Sequence, residues 1–163
     1  MVECASMQKS IDVSKLPRID GAQICILKSK WYQEYVDNME DAARPILEKA
    51  GATVIDSDVL PGCLENPLAI RHIEETSTKT YDAYICLGII LKGKTKHFEM
   101  IMHSTGSGMS DLAIRYNKPV INAIIPALTL LDVKKRTKMD QFNKGIEAAV
   151  AAVEFIAWQR SRT

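Results

Sequence analysis

The residues with the greatest chemical reach in this chain lie side by side in Lys92-Gly93-Lys94-Thr95-Lys96, followed at once by His97. A loop with a glycine, a hydroxyl and lysines at a helix start leaves backbone N–H groups free, so Lys94 and Thr95 fit a phosphate cradle. A solvated basic loop is the plain alternative. His97 opens HFEMIMHSTGSGMSDLAIRY, which has a helical pattern. A helix start disfavours the imidazolium, leaving a neutral imidazole that can take and return protons near neutral pH. His72 falls inside a predicted helix, and His103 lies about two turns beyond His97.

Other groups join this stretch at a distance in sequence. Trp31 stands between Lys30 and Tyr32, just past an apolar run, where its ring can stack on a planar ligand as readily as fill a core. The turn Pro61-Gly62-Cys63-Leu64-Glu65 brings a carboxylate to a helix start, where it also complements the helix dipole. Arg136 and Lys144 flank a predicted break in the C-terminal helical region, and exposed surface charge is their default reading. No GxGxxG follows the first strand and no GxxxxGK[ST] occurs, which leaves dinucleotide and Walker-type readings weak. Without a CxxC, an HExxH or a carboxylate cluster, no metal is expected.

The elements that must position these groups follow from the apolar pattern. Ala83–Leu91 is an almost unbroken apolar run, which suits a strand buried on both faces of a parallel sheet. Ala22–Lys28, Ala52–Leu60 and Val120–Ile125 read as further strands, the second more alternating and so nearer an edge, the last closed by Pro126. Between them, helices are predicted over Gln33–Ala50, Leu64 to about Thr78, and His97–Tyr116. Pro45 predicts a kink or altered boundary in the first. Leu128–Trp158 is largely helical, broken near Asp140–Asn143. The glycines of GSGMS, 106–110, mark a close helix-packing point. Strands alternating with helices predict βαβ units, a parallel sheet and helices on both faces, in one domain. The carboxyl ends of the strands should converge on one edge, bringing together Trp31, the Gly62 turn, the loop Gly93–His97 and the region after Val120.

Composition bounds the rest. A chain of 163 residues is long enough for a real core, and a net charge of +1 gives no general case for nucleic acid or membrane electrostatics. Cys4, Cys25, Cys63 and Cys86 are scattered and read as reduced thiols, which fits a cytoplasmic protein. No signal-peptide core and no apolar segment of about 20 residues is present, so no membrane partner is expected. Residues 1–20 are polar and read as an N-terminal arm before a single domain over 21–163; the arm is either disordered or ordered by a neighbouring subunit.

Taken in order, these residues resemble the lumazine synthase family from about Gly21 to Trp158. The segments LPGCLENPLA (60–69), YDAYICLGIILKGKTKHFE (81–99), KPVINAII (118–125) and NKGIEAAVAAVEF (143–155) carry the resemblance. The second is the most specific, through its loop, its histidine and the aromatic-acid pair that follows. The resemblance implies a flavodoxin-like three-layer α/β/α sandwich with a four-stranded parallel sheet. It implies a transferase that joins 5-amino-6-ribitylaminouracil to 3,4-dihydroxy-2-butanone 4-phosphate, making 6,7-dimethyl-8-ribityllumazine for riboflavin without metal or cofactor. It also implies a homo-oligomer built from pentamers, with the arm added to a neighbour's sheet.

By the same resemblance Trp31 stacks on the pyrimidine, with Tyr32 beside it. Gly62, Cys63, Leu64 and Glu65 address the ribityl chain, and Ile90 and Leu91 offer backbone to the pyrimidine. Gly93, Lys94 and Thr95 form the phosphate loop and His97 moves protons. Arg136 matches a phosphate-binding arginine and Lys144 a lysine near the pyrimidine, both reaching a site across a subunit boundary. Departures from the family lie in the pocket wall. Asn122 stands for an aromatic or apolar residue against the pyrimidine, Tyr32 for a smaller polar residue, Lys92 for an arginine and Asp140 for a lysine; Pro126-Ala-Leu-Thr-Leu-Leu replaces a more polar loop. They motivate an alternative: a divergent paralogue holding riboflavin or a lumazine without efficient turnover.

Overall fold

The computed structural model describes residues 11–163; the first half of the predicted arm, with Cys4, lies outside the described residues. Four strands, β1 (Gln23–Ser29), β2 (Val54–Leu60), β3 (Ala83–Leu91) and β4 (Val120–Ala127), pair in parallel in the order β2-β1-β3-β4. Helices α1 (Gln33–Ala50), α2 (Asn66–Thr76), α3 (His97–Tyr116), α4 (Leu130–Thr137) and α5 (Lys144–Arg160) complete the α/β/α sandwich. A single 3₁₀ turn, Cys63–Glu65, precedes α2.

The strand period of two splits the sheet's side chains between two cores. Ile24 and Ile26 of β1 and Ile85, Leu87 and Ile89 of β3 face α1 and α5, meeting Val36, Met39, Ala43, Leu47, Ala149 and Val153. Cys25 and Leu27, with Tyr84, Cys86 and Ile90, face α2 and α3, meeting Ile70, Met109 and Leu112. Burial of each large aliphatic side chain stabilises the fold by about 1.5–3 kcal/mol. The three described cysteines are free and buried, and burial pushes the Cys25 thiol up to about 12 and the Cys63 thiol up to about 11.

Where the pattern misled, a local reason is visible. α1 runs through Pro45 with its boundaries unaltered, and the Pro45 ring is exposed. β4 does not close at Pro126 but continues to Ala127, because Lys92 N–H still donates to Ala127 O at 2.9 Å. β4 is an edge strand, so Pro126 can turn its missing N–H away from β3. On α2, Ile70 is buried while Leu68 is exposed, so the two do not share a packed side. The predicted arm ends in the body of the protein: Ile19 is fully buried, Leu16 packs on the core, and Ile19 N–H donates to Ala50 O. In the GSGMS stretch only Gly108 is a packing point, since a Cβ there would meet Pro67 Cγ at 2.7 Å, whereas Gly106 faces open space.

Candidate active site

β1 and β3 are the central strands, so the loops after them emerge side by side, with the turn after β2 next to them. Together they wall a cleft of about 620 Å³. Trp31, Tyr32, Gly62, Cys63, Leu64, Glu65, Ile90, Leu91, Gly93, Thr95 and His97 all line it. Lys94 belongs to the same loop, and its exposed side chain does not line the cleft. Sequence reasoning missed Phe98 and Ile101 in the lining. Their signal was available: Ile101 stands four positions after His97 and three after Phe98, the spacings that continue one face of α3.

Trp31 is 62 % exposed, so its ring is presented rather than packed. Gly62 keeps the space beside it open. A Cβ at 62 would lie 3.0 Å from Glu65 Oε2 and 3.8 Å from Trp31 Cδ1, so indole edge and carboxylate flank one gap. Gly88 in β3 has a related task, because a Cβ there would lie 2.5 Å from Cys63 Sγ. Its absence lets the Cys63 turn seat against the sheet. Tyr32, the residue before α1, is left-handed (φ 59°, ψ 41°), which swings the chain from strand into helix.

On the other wall, β3 ends at Leu91 and α3 begins at His97. His97 is exposed, with its N–H directed at Thr95 Oγ1 at 3.4 Å. Lys92 Nζ lies 2.9 Å from Glu99 Oε1, bracketing the loop, and holds the Glu99 carboxyl below its ordinary value. The first cleft thus offers an aromatic face, a carboxylate, an imidazole and a helix start, within a largely aliphatic lining.

Asn122, Arg136 and Lys144 are not brought into that cleft. They line a second cleft, of about 630 Å³, along the β4 edge with Pro126, Leu128, Asp132 and Lys135. The expectation that every strand end feeds one pocket therefore fails for the region after Val120. β4 lies at the sheet edge, and α4 and α5 fold back beside it. Thr129 and Asp132 form a reciprocal capping box at α4. Asn143 caps α5 by accepting from Gly145 N–H at 2.8 Å, and its amide donates to Thr137 O and Lys138 O at 3.0 Å each. Asn122 Oδ1 accepts from Ile124 N–H at 3.2 Å, leaving its amide nitrogen free to donate. Lys144 pairs with Glu147 at 2.5 Å.

Among the described residues no group of three or more His, Cys, Asp or Glu side chains could hold a metal ion. None of their helices is long and apolar enough to cross a membrane. A family model described as 6,7-dimethyl-8-ribityllumazine synthase matches residues 21–160. Relatives carrying that name include a protein of Azorhizobium caulinodans, 33 % identical over 87 % of this chain and 89 % of its own. One of Burkholderia mallei is 35 % identical over 83 % of this chain and 76 % of its own. One of Methylorubrum populi is 29 % identical over 96 % and 95 %.

Proposed function

The chain belongs to the 6,7-dimethyl-8-ribityllumazine synthase family, and on that premise we propose that it joins 5-amino-6-ribitylaminouracil to 3,4-dihydroxy-2-butanone 4-phosphate in riboflavin biosynthesis. The observation that carries the assignment is the convergence of Trp31, the Gly62–Glu65 turn and the Gly93–His97 loop on one cleft. The pyrimidine ring stacks on Trp31, its ribityl chain runs past Gly62 to Glu65, and the backbone of Ile90 and Leu91 addresses the ring edge. The four-carbon phosphate sits at the start of α3, against Lys94 and Thr95.

The substrate amine attacks the ketone, and loss of water gives an imine. A proton leaves the adjacent carbon as phosphate departs, and the resulting enol becomes a ketone by proton transfer. The ribityl-bearing nitrogen adds to that ketone with loss of a second water, closing the pyrazine ring. His97 accepts and returns these protons. Holding two small substrates together supplies much of the acceleration, and fixed cationic groups stabilise the departing phosphate.

Arg136, for the phosphate, and Lys144, beside the pyrimidine, come from a second copy. Arg136 and Lys144 lie in the second cleft of the same chain, so the complete site forms where the first cleft of one subunit meets the second cleft of its neighbour. Exposed Leu64, which lines the first cleft, and exposed Leu128, which lines the second, support that meeting. The assembly is built from pentamers of cytoplasmic protein, each subunit a single domain to which Leu16 and Ile19 of the arm already belong, with the arm's earlier residues reaching a neighbour's sheet. A paralogue that holds flavin or lumazine without turnover, the other reading of Tyr32 and Asn122, is not favoured by relatives that carry the synthase name.

The test is lumazine formation from the two substrates, followed by absorbance against the uncatalysed reaction. A rate well above background that falls about a hundredfold in His97→Ala supports the assignment. Background rate with tight flavin binding would replace it with the binding reading.

A further inference from the structure

A cluster of charges with no part in the chemistry above joins β1 to α1, the two elements on either side of the loop that carries Trp31. Lys28, on the central strand β1, has a side chain only 14 % exposed. Its Nζ lies 2.8 Å from Asp37 Oδ1 and 2.6 Å from Glu40 Oε2. Glu40, 8 % exposed, shares its other oxygen with Arg44 Nη2 at 2.7 Å. Arg44 Nη1 in turn donates to Ile55 O of β2 at 3.1 Å. One network therefore ties β1, α1 and β2 together. Apolar side chains of similar volume would fill this space at no greater cost, because buried ion pairs barely offset their desolvation. Stability alone is a weak reason for the cluster.

What the cluster brackets supplies a better one. Between Lys28 and Asp37 the chain is anchored by buried Ser29 and Val36, but Lys30, Trp31 and Tyr32 of the β1–α1 loop are exposed and have few ties of their own. Trp31 N–H is directed at Ser29 Oγ at 3.3 Å, Lys30 N–H donates to Leu60 O at 3.0 Å, and Tyr32 is left-handed with no side-chain cap for α1. With the indole mostly exposed, the backbone rather than packing sets where the ring stands. The gap it shares with Gly62 and Glu65 leaves little latitude. The loop across the cleft is bracketed the same way, Lys92 at the end of β3 pairing with Glu99 of α3, but at the surface, where such pairs contribute less.

We propose that Lys28, held by Glu40 and Asp37, is a positioning residue that fixes where Trp31 and Tyr32 stand over the first cleft. The consequence for turnover rests on the function proposed above; the placement of Trp31 does not.

The sequence has two tryptophans, so Trp158→Phe leaves Trp31 as the sole indole reporter. In that background, Lys28→Met with Glu40→Leu is compared with Lys28→Arg, without ligand, by fluorescence anisotropy decay and acrylamide quenching. The paired apolar variant is expected to stay folded with a near-normal melting midpoint. Its Trp31 should gain a fast anisotropy component and about a twofold change in quenching, and KM for the pyrimidine should rise roughly threefold to tenfold with kcat little changed. Lys28→Arg should restore the parent anisotropy, which a purely structural role would not require. If the paired variant does not fold, Asp37→Asn at the network's rim is read the same way, with a smaller loosening expected. A folded variant whose Trp31 signal matches the parent overturns the proposal. A protein that makes no lumazine leaves this ligand-free readout intact, so failure of the function and failure of the positioning are told apart.

Discussion

The first cleft stands over strand ends and the second along a strand edge, and the two are framed differently. Around the first, β1 and β3 run out into loops, and the chemical groups (Trp31, Thr95, His97) ride on those loops, mostly exposed. Around the second, Arg136 closes α4 and Lys144 opens α5, and the junction between them is held by Asn143 and the close approach of Gly145 to α1. The aromatic face and the proton carrier are thus in one place, and the fixed positive charges in another. Each cleft has half the chemistry that the proposed reaction needs. On that proposal, a single chain carries two half-sites.

The sharpest way to break that comparison is to mix two damaged proteins. His97→Ala should lose about a hundredfold in turnover. Arg136→Ala should lose roughly ten- to a hundredfold in kcat/KM, the worth of a charge-assisted phosphate contact. Refolded together, the two should regain up to about a quarter of wild-type activity, because random assembly of a ring pairs an intact first cleft with an intact second cleft at that frequency. A mixture that stays as inactive as its components would place both groups in one chain's site.

Next in size are changes to the frame of the second cleft. In Gly145→Ala the new Cβ would sit 1.9 Å from Met39 O, so α5 must move off α1, at about 1–3 kcal/mol. Asn143→Ala removes the α5 cap and strands Thr137 O and Lys138 O, costing about 1–3 kcal/mol. Thermal melts should show both losses, and flavin quenching of Trp31 in the first cleft should survive at temperatures where the variants remain folded. If quenching is lost with the charges, the clefts are not separately framed.

Gly62→Ala tests the first cleft in the opposite sense. Gly62 is extended (φ −165°), so alanine brings no backbone strain, and stability should stay within about 0.5 kcal/mol of wild type. The methyl group would press on Glu65 Oε2 and narrow the gap beside Trp31. Substrate affinity should therefore fall several-fold while the melting midpoint holds, as steady-state kinetics and calorimetry would record.

The smallest effect concerns pH. Burial pushes the Glu40 carboxyl up, but Lys28 and Arg44 more than offset this and hold it below its ordinary value of 4.5. A depressed carboxyl contributes stability that is complete above the unfolded value and lost as pH falls through the folded one. Lys28, raised above 10.5 by Asp37 and Glu40 against its own burial, contributes stability that is complete below 10.5 and lost at higher pH. Melting midpoints should therefore fall below about pH 4.5, and Glu40→Gln should flatten that acid limb. An unchanged acid limb would deny Glu40 its share.

Much of the first cleft could be read from the chain because its signals are local. The apolar run Ala83–Leu91, the Gly93 breaker and the helical pattern from His97 follow one another without interruption, and the structure places β3 and α3 at those residues. The second cleft could not be read that way. Arg136 and Lys144 look like surface charges in sequence, and nothing near them says which neighbours they meet. Ile19 and the Lys28–Glu40 pair were equally silent, since a buried partner many residues away leaves no periodic mark. By itself the sequence determined the α/β alternation, the histidine loop and the family. Only the tertiary structure decided that β4 is an edge, that two clefts exist rather than one, and that Lys28 pairs with Asp37 and Glu40 of α1. Periodicity encodes which face of an element is buried, whereas strand order and crossover packing decide what that face meets.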